Sequence, residues 1–338
     1  MNSTQIKEIK ELLSVPKKIV VIPHKNPDGD AIGSTLGLYH YLTNLGHLTT
    51  VVSPNEYPDF LKWIPGEDTI IKFDSNTSSA ISKIKEADII FTLDFNDLSR
   101  TGSMEEILAT TTTTYIMIDH HQQPSDYATY MYSDVNMSST CQMIYHFLEK
   151  LEDLDKITPD IATCIYVGIM TDTGSFRFRS TTSTTHRVIS NLIDKGADNT
   201  KIHERIYDAN TLSRLQLQGV ALKNLTVLPE YRTAYITLSQ KELDDHNFKK
   251  GDTEGFVNIA LSLTGIIFAI IFIENKGEKI VKISFRSKGA FSVNEFARNH
   301  FDGGGHHNAS GGKSNISLPK TVEKFISILP SYKNVLNP

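Results

Sequence analysis

Apolar positions along the first half of the chain follow two alternating periods. Short, β-branched runs such as Lys18-Ile19-Val20-Val21-Ile22, residues 47–53, Asp88-Ile89-Ile90-Phe91-Thr92-Leu93 and Tyr115-Ile116-Met117-Ile118 predict buried strands. Residues 70–73 predict one more, shorter strand. Between these runs the spacing turns helical. Ile32, Leu36, Tyr39, Leu42 and Leu45 recur on one helix face, and Gly46 supplies the stop signal. Further helices are predicted over residues 4–13, 79–87, 159–170 and 186–195, and from Ser138-Ser139-Thr140 through Leu151. Strands alternating with helices predict an α/β fold, a largely parallel sheet flanked by helices.

The second half reads differently. Helical segments through Ile202, Ile206, Leu215 and Leu222 lead to strands at 231–238, 266–273 and 280–285, with Asn275-Lys276-Gly277 as a hairpin turn. A helix over 293–300 precedes the glycine-rich stretch 302–312. The expected domains are residues 1–195, a helical linker over 196–224, and a smaller α/β domain over 225–338.

Composition narrows the options. With 39% hydrophobic and 22% charged residues the chain is globular, and no apolar run approaches the ~20 residues that span a bilayer. The polar first eighteen residues lack the apolar region of a secretory signal, so a cytoplasmic location is expected. Cys141 and Cys164 have no C-x-x-C companion and read as reduced core thiols. A net charge of -5 argues against a long footprint on duplex nucleic acid but allows a short phosphorylated ligand. Trp63, in the turn-rich loop 57–66, reads as a packed anchor in preference to a base-stacking platform.

Candidate chemistry gathers at the ends of elements. The first strand runs into His24, Asp28 and Asp30, another ends at Asp94, and a third ends in Asp119-His120-His121. The helix over 159–170 delivers Asp172, with Gly174 permitting a tight turn. Each residue alone also reads as a solvated turn or a helix cap. Three strand ends bearing metal-ligand side chains point instead to a shared metal site beyond the carboxyl edge of the sheet. Imidazoles mixed with carboxylates favour Mn, Fe or Zn over Ca.

The set His24-x-x-x-Asp28-x-Asp30, Asp94, Asp119-His120-His121 and Asp172-Thr173-Gly174 resembles the four motifs of the DHH phosphoesterase family. That family includes RecJ-type exonucleases, one class of inorganic pyrophosphatases, and small oligoribonucleases that also dephosphorylate 3′-phosphoadenosine 5′-phosphate. The resemblance implies one ion on His24, Asp28 and Asp94 and another on Asp30, Asp94, His120 and Asp172. Two Mn²⁺ ions are expected, with Mg²⁺, Fe²⁺ or Zn²⁺ as alternatives. His121 would donate to substrate phosphate or the leaving oxygen; Asp119 would orient an imidazole or cap the backbone. Gly303-Gly304-Gly305-His306 resembles the signature of the second domain that accompanies DHH domains in the nuclease branch. Arg286 and His306 would then bind a terminal phosphate, helped by the backbone amides of Gly304 and Gly305, in a cleft between the domains. His307 is a less secure candidate for the same role, an adjacent ring that can equally face solvent.

The implied substrates are short RNA oligonucleotides and phosphorylated nucleotides. No membrane and no obligate protein partner is implied, and a homodimer is compatible with the sequence. The alternatives are a linear or cyclic dinucleotide phosphodiesterase and, from another class, a non-catalytic nucleotide-binding sensor. All six ligand positions are filled, which disfavours the sensor.

Overall fold

Strand order is the feature that positions everything else. In a computed structural model describing residues 1–337, the chain divides into two units, the first ending at Ala209 and the second starting at Asn210. The first contains α1 (Ser3–Leu12), β1 (Lys18–Pro23), α2 (Gly29–Asn44), β2 (Leu48–Ser53), β3 (Ile71–Lys72), α3 (Thr77–Glu86) and β4 (Ile89–Leu93). It continues with α4 (Glu105–Thr110), β5 (Thr114–Asp119), β6 (Tyr130–Ser133), α5 (Thr140–Lys150), α6 (Pro159–Asp172), α7 (Ser183–Asp194) and α8 (Asn199–Tyr207). Its six strands lie in the order β3-β2-β1-β4-β5-β6, all parallel. The direction of winding reverses between β1 and β4. Open α/β sheets bind ligands in the crevice at such a switch point.

The β-branched runs are explained by burial on both faces. Ile19, Val21, Ile89, Phe91, Ile116 and Ile118 face the larger core with α2, α5 and α6, while Val20, Ile22 and Ile90 face Ala80 and Ile84 of α3 and Leu108 of α4. Trp63 packs against the larger core, as the loop-anchor reading expects. Cys141 and Cys164 are free and buried.

Helices α2 and α6 approach each other closely. A methyl group at Gly33 would lie 2.5 Å from the carbonyl oxygen of Cys164, and one at Gly168 would lie 2.1 Å from the Cys141 sulfur. Gly29, Gly33 and Gly37 repeat every fourth residue, one face of α2. This bare face lets Asp30, at the start of α2, and Asp172, at the end of α6, share one region.

The second unit contains α9 (Leu212–Lys223), β7 (Thr226–Leu228), β8 (Thr233–Leu238), α10 (Gln240–Asp245), α11 (Phe256–Leu261), β9 (Phe268–Asn275) and β10 (Ile280–Ser287). After these come α12 (Val293–His300), β11 (Gly304–His306), β12 (Ala309–Ser314), α13 (Leu318–Ile328) and α14 (Lys333–Leu336). Its sheet order is β11-β12-β10-β9-β8-β7, antiparallel except for the β8–β9 pair. A phenylalanine-rich core, Phe268, Phe272, Phe285, Phe296 and Phe325 among it, fills one face beneath α12 and α13. Of the helices read between residues 196 and 224, α8 buries Ile202 in the first unit's core, and α9 buries Leu217 and Ala221 in the second's. The glycine-rich stretch is more than a loop: it forms two paired strands, β11 and β12.

Gly33→Ala is expected to lower the melting temperature by several degrees, because the obstructing atom is backbone and overpacking costs about 1–3 kcal/mol. Gly219→Ala, in α9 with nothing within 4 Å of the added methyl, is expected to hold or raise it. Thermal unfolding of both variants checks this; equal midpoints would remove the close-packing argument.

Candidate active site

Each candidate ligand is delivered by the end of an element. His24 follows β1, and Asp28 caps α2, its Oδ1 accepting from the N–H groups of Asp30 and Ala31 at 3.0 Å each. Asp94 follows β4 in the left-handed region (φ 66°), with its N–H donating to the Ile118 carbonyl at 3.1 Å. Such a backbone is uncommon outside glycine, though Asp tolerates it, and it recurs at functional sites. His120 and His121 follow Asp119, the last residue of β5. Asp172 ends α6, after which Gly174, Ser175 and Phe176 are all left-handed (φ 56°, 61° and 64°) and wrap the chain around buried Thr173.

These ends converge. Ligand atoms of His24, Asp28 and Asp94 lie within 4.8 Å of one another, as do those of Asp30, His120 and Asp172. Asp94 adjoins both groups: its Oδ2 is 3.5 Å from His24 Nε2 and its Oδ1 is 3.5 Å from His120 Nε2. His120 Nε2 is also 3.5 Å from Asp172 Oδ2 and 3.8 Å from Asp30 Oδ2.

Backbone carbonyls choose the imidazole tautomers. His24 Nδ1 lies 2.9 Å from the Lys25 carbonyl oxygen and His120 Nδ1 lies 3.2 Å from that of Met137. A carbonyl only accepts, so each Nδ1 carries a proton and each Nε2, which faces the carboxylates, is the nitrogen that can take an ion once its own proton leaves. His121 differs. Its Nδ1 donates to Asp119 Oδ1 at 2.7 Å, so that nitrogen has no lone pair for an ion, although Asp94, Asp119 and His121 also cluster within 4.8 Å. Asp119 is fully buried. The imidazole it contacts is that of His121.

Two contributors escape a reading of the sequence. The N–H groups of Thr140 and Cys141, at the start of α5, donate to Asp30 Oδ2 and Oδ1 at 2.6 and 2.9 Å. The Thr140 hydroxyl donates to Asp94 Oδ1 at 2.9 Å. Ser139 is the helix cap, accepting from the Gln142 N–H at 3.0 Å. The capping signal marks where α5 starts, but nothing in it shows what the first N–H groups of the helix face.

The second unit aligns the other candidates on its own sheet. Arg286 pairs with Ala309, and Ala309 pairs with His306. Directly paired residues point to the same face, so Arg286 and His306 flank a small alanine on the face away from the phenylalanine core. Gly304 and Gly305 lie on the same edge strand as His306. His307 is exposed.

Comparison with known proteins identifies the domains to which these residues belong. Residues 18–169 match the DHH family, N-terminal domain, and residues 231–332 match the DHHA1 domain. The crystal structure of an exopolyphosphatase-related protein from Bacteroides fragilis is 39% identical and superposes with a TM-score of 0.95, covering 100% of this chain and 98% of that one. The chain belongs to the DHH family. It is also similar to the bifunctional oligoribonuclease and PAP phosphatase NrnA of Thermus thermophilus, 29% identical over 93% of this chain and 90% of the relative. The Bacillus subtilis protein of the same name is 26% identical over 90% and 91%.

The electrostatics of this DHH site fit divalent cations. Burial, then the neighbouring charges of Asp94 and Asp172, push the Asp30 carboxyl well above its ordinary range. Burial also raises Asp94, but hydrogen bonding to His120 and His24 outweighs it and brings Asp94 well below. Burial would lower both imidazoles; Asp94 and the other carboxylates outweigh it, so His24 is raised and His120 is raised well above its usual value. Asp172 is pushed up to about 6 by burial, then by Asp28 and Asp94, against the opposing pull of His120. Protons thus stand in for cationic charge, and metal binding must displace them.

The sign of the pH dependence follows. Between its ordinary value of 3.8 and about 6, Asp172 binds a proton in the folded state and not in the unfolded one, so its share of stability falls as pH rises through that window. Metal-free protein is expected to lose more melting temperature from pH 4.5 to 7 than Asp172→Asn does, by a few degrees. Affinity for Mn²⁺ should rise over the same range. Parallel unfolding curves for the two proteins would refute the assignment.

Proposed function

We propose that the chain hydrolyses short oligoribonucleotides to nucleoside 5′-monophosphates and 3′-phosphoadenosine 5′-phosphate to AMP. The observation that carries this is Asp94, whose two oxygens adjoin separate His/Asp groups at the switch point of the sheet. The names of the relatives support the substrate class.

In this reading His24, Asp28 and Asp94 hold one ion and Asp30, Asp94, His120 and Asp172 hold the other. Six protein ligands, two of them imidazoles, favour Mn²⁺. Bound ions of this kind polarise a phosphoryl group and activate water. Asp119 fixes the ring of His121. In its doubly protonated form His121 keeps its Nδ1–H on Asp119 and presents its Nε2–H to a phosphate or to the leaving oxygen. In the second unit, the Arg286 and His306 row, with the amides of Gly304 and Gly305, binds a phosphate of the substrate.

One site serves both reactions because the same bond breaks. Release of a 5′-monophosphate from RNA and removal of the 3′-phosphate from the bisphosphorylated nucleotide both cleave P–O3′. Oxygen from water joins phosphorus, and the 3′ oxygen leaves with a proton. In each case the leaving group is a nucleoside that carries its own 5′-phosphate. Two buried, unpaired cysteines fit work in a reducing compartment, the cytoplasm. Among the described residues, no helix is long and apolar enough to cross a membrane.

Product analysis with Mn²⁺ tests the reading. Turnover should be fastest on 5′-phosphorylated RNA of two to a few nucleotides and on 3′-phosphoadenosine 5′-phosphate, and Asp94→Ala should lower it by at least about 10³-fold. Arg286→Ala should raise KM about 10- to 100-fold for 5′-phosphorylated dinucleotides and leave 5′-hydroxyl ones nearly unchanged. Faster cleavage of cyclic dinucleotides or pyrophosphate would overturn the substrate assignment, and binding without turnover would favour a sensor.

A further inference from the structure

Thr140 is fully buried and touches two different carboxylates of the site. Its N–H donates to Asp30 Oδ2 at 2.6 Å, and its hydroxyl donates to Asp94 Oδ1 at 2.9 Å. An ionised carboxylate only accepts, so the direction of the second bond is fixed. Asp94 is the residue for which orientation matters most, since Oδ2 faces His24 and Oδ1 faces His120. The last torsion of an aspartate side chain is broad, so backbone and first rotamer alone do not hold that division. Thr140 bonds Oδ1 alone, the oxygen on the His120 side, and its N–H holds Asp30 on that same side. Beside the imidazole on each oxygen, the Thr140 hydroxyl adds a short, fixed donor on Oδ1.

We propose that Thr140 is a positioning residue that locks the shared Asp94 carboxylate, and so sets the affinity for the ion on the His120 side. It acts through Asp94 and Asp30 without itself touching ion or substrate. This inference rests on the metal-binding reading given under Proposed function.

The test is Mn²⁺ titration of the chelator-treated full chain, read by calorimetry and by the magnetic coupling between bound ions. The wild-type protein should bind two ions. Thr140→Val and Thr140→Ala keep the backbone donor but lose the hydroxyl, and each should weaken the second ion about 10- to 100-fold while leaving the first nearly unchanged. Thr140→Ser should return to within about threefold of wild type, since it restores the donor. Wild-type affinity for both ions in the Val and Ala variants would overturn the inference while leaving the metal site intact. Failure of both to fold metal-free, with the Ser variant folded, would overturn it in favour of a purely structural role. A wild-type protein that binds no Mn²⁺ would sink the metal reading itself, and the inference with it.

Discussion

Three buried or half-buried carboxylates of like charge within a few ångströms are what the first unit is built to tolerate. Asp30, Asp94 and Asp172 come from α2, the end of β4 and the end of α6, and none can be ionised beside the others without compensation. The compensation is distributed. Helix α5 turns its N-terminal N–H groups to Asp30, two imidazoles crowd Asp94, and protons are retained on the rest. Burying such an arrangement is costly unless a cation or a proton offsets the charge, so the crowding of these carboxylates is also what suits them to a metal ion.

The glycines of α2 and α6 belong to that constraint. Asp30 and Asp172 sit on helices that could not approach if Gly33 carried a side chain, and a methyl at Gly168 would meet Cys141 of α5 and the Asp30 carboxylate itself. Packing deep in the core thereby fixes the spacing of charges at its rim. The reversal of winding between β1 and β4 opens a crevice between the strand ends that deliver His24 and Asp94. Sheet topology chooses the place, helix packing sets the distances, and backbone carbonyls orient the rings.

Much of this is legible in the sequence because strand ends are legible. Apolar runs stop abruptly at His24, Asp94 and Asp119, and a side chain of unusual chemistry at such a stop needs an explanation. What the sequence hides is long-range pairing. The bond from Thr140 to Asp30 joins residues 110 apart, and no local pattern announces it. Strand β6, Tyr130–Ser133, lacks a continuous β-branched run and is specified by its parallel pairing with β5. Strand β12, Ala309–Ser314, has no β-branched residue at all; β10 and β11 on either side hold it. Helix α13, by contrast, carries ordinary signals, with Pro319 in its first turn and Leu318, Thr321 and Phe325 on its buried side.

The glycine-rich strands show why such tracts mislead when read alone. A methyl at Gly303 would meet the Gly311 carbonyl oxygen at 2.0 Å, one at Gly305 the Ala309 carbonyl oxygen at 2.7 Å, and one at Gly312 that of Phe301 at 2.9 Å. Each obstacle is backbone, so these three glycines are required for β11 and β12 to lie against each other and against α12. Gly304 is different: its added methyl would make only ordinary contact, at 3.7–3.8 Å, with the Arg298 guanidinium. Packing therefore accounts for Gly303, Gly305 and Gly312, and leaves Gly304, like Gly311 with only the Ile283 carbonyl oxygen at 3.8 Å, unexplained by the fold. A bare backbone beside a cation, on the edge strand that carries His306, keeps an anion's approach to the chain open.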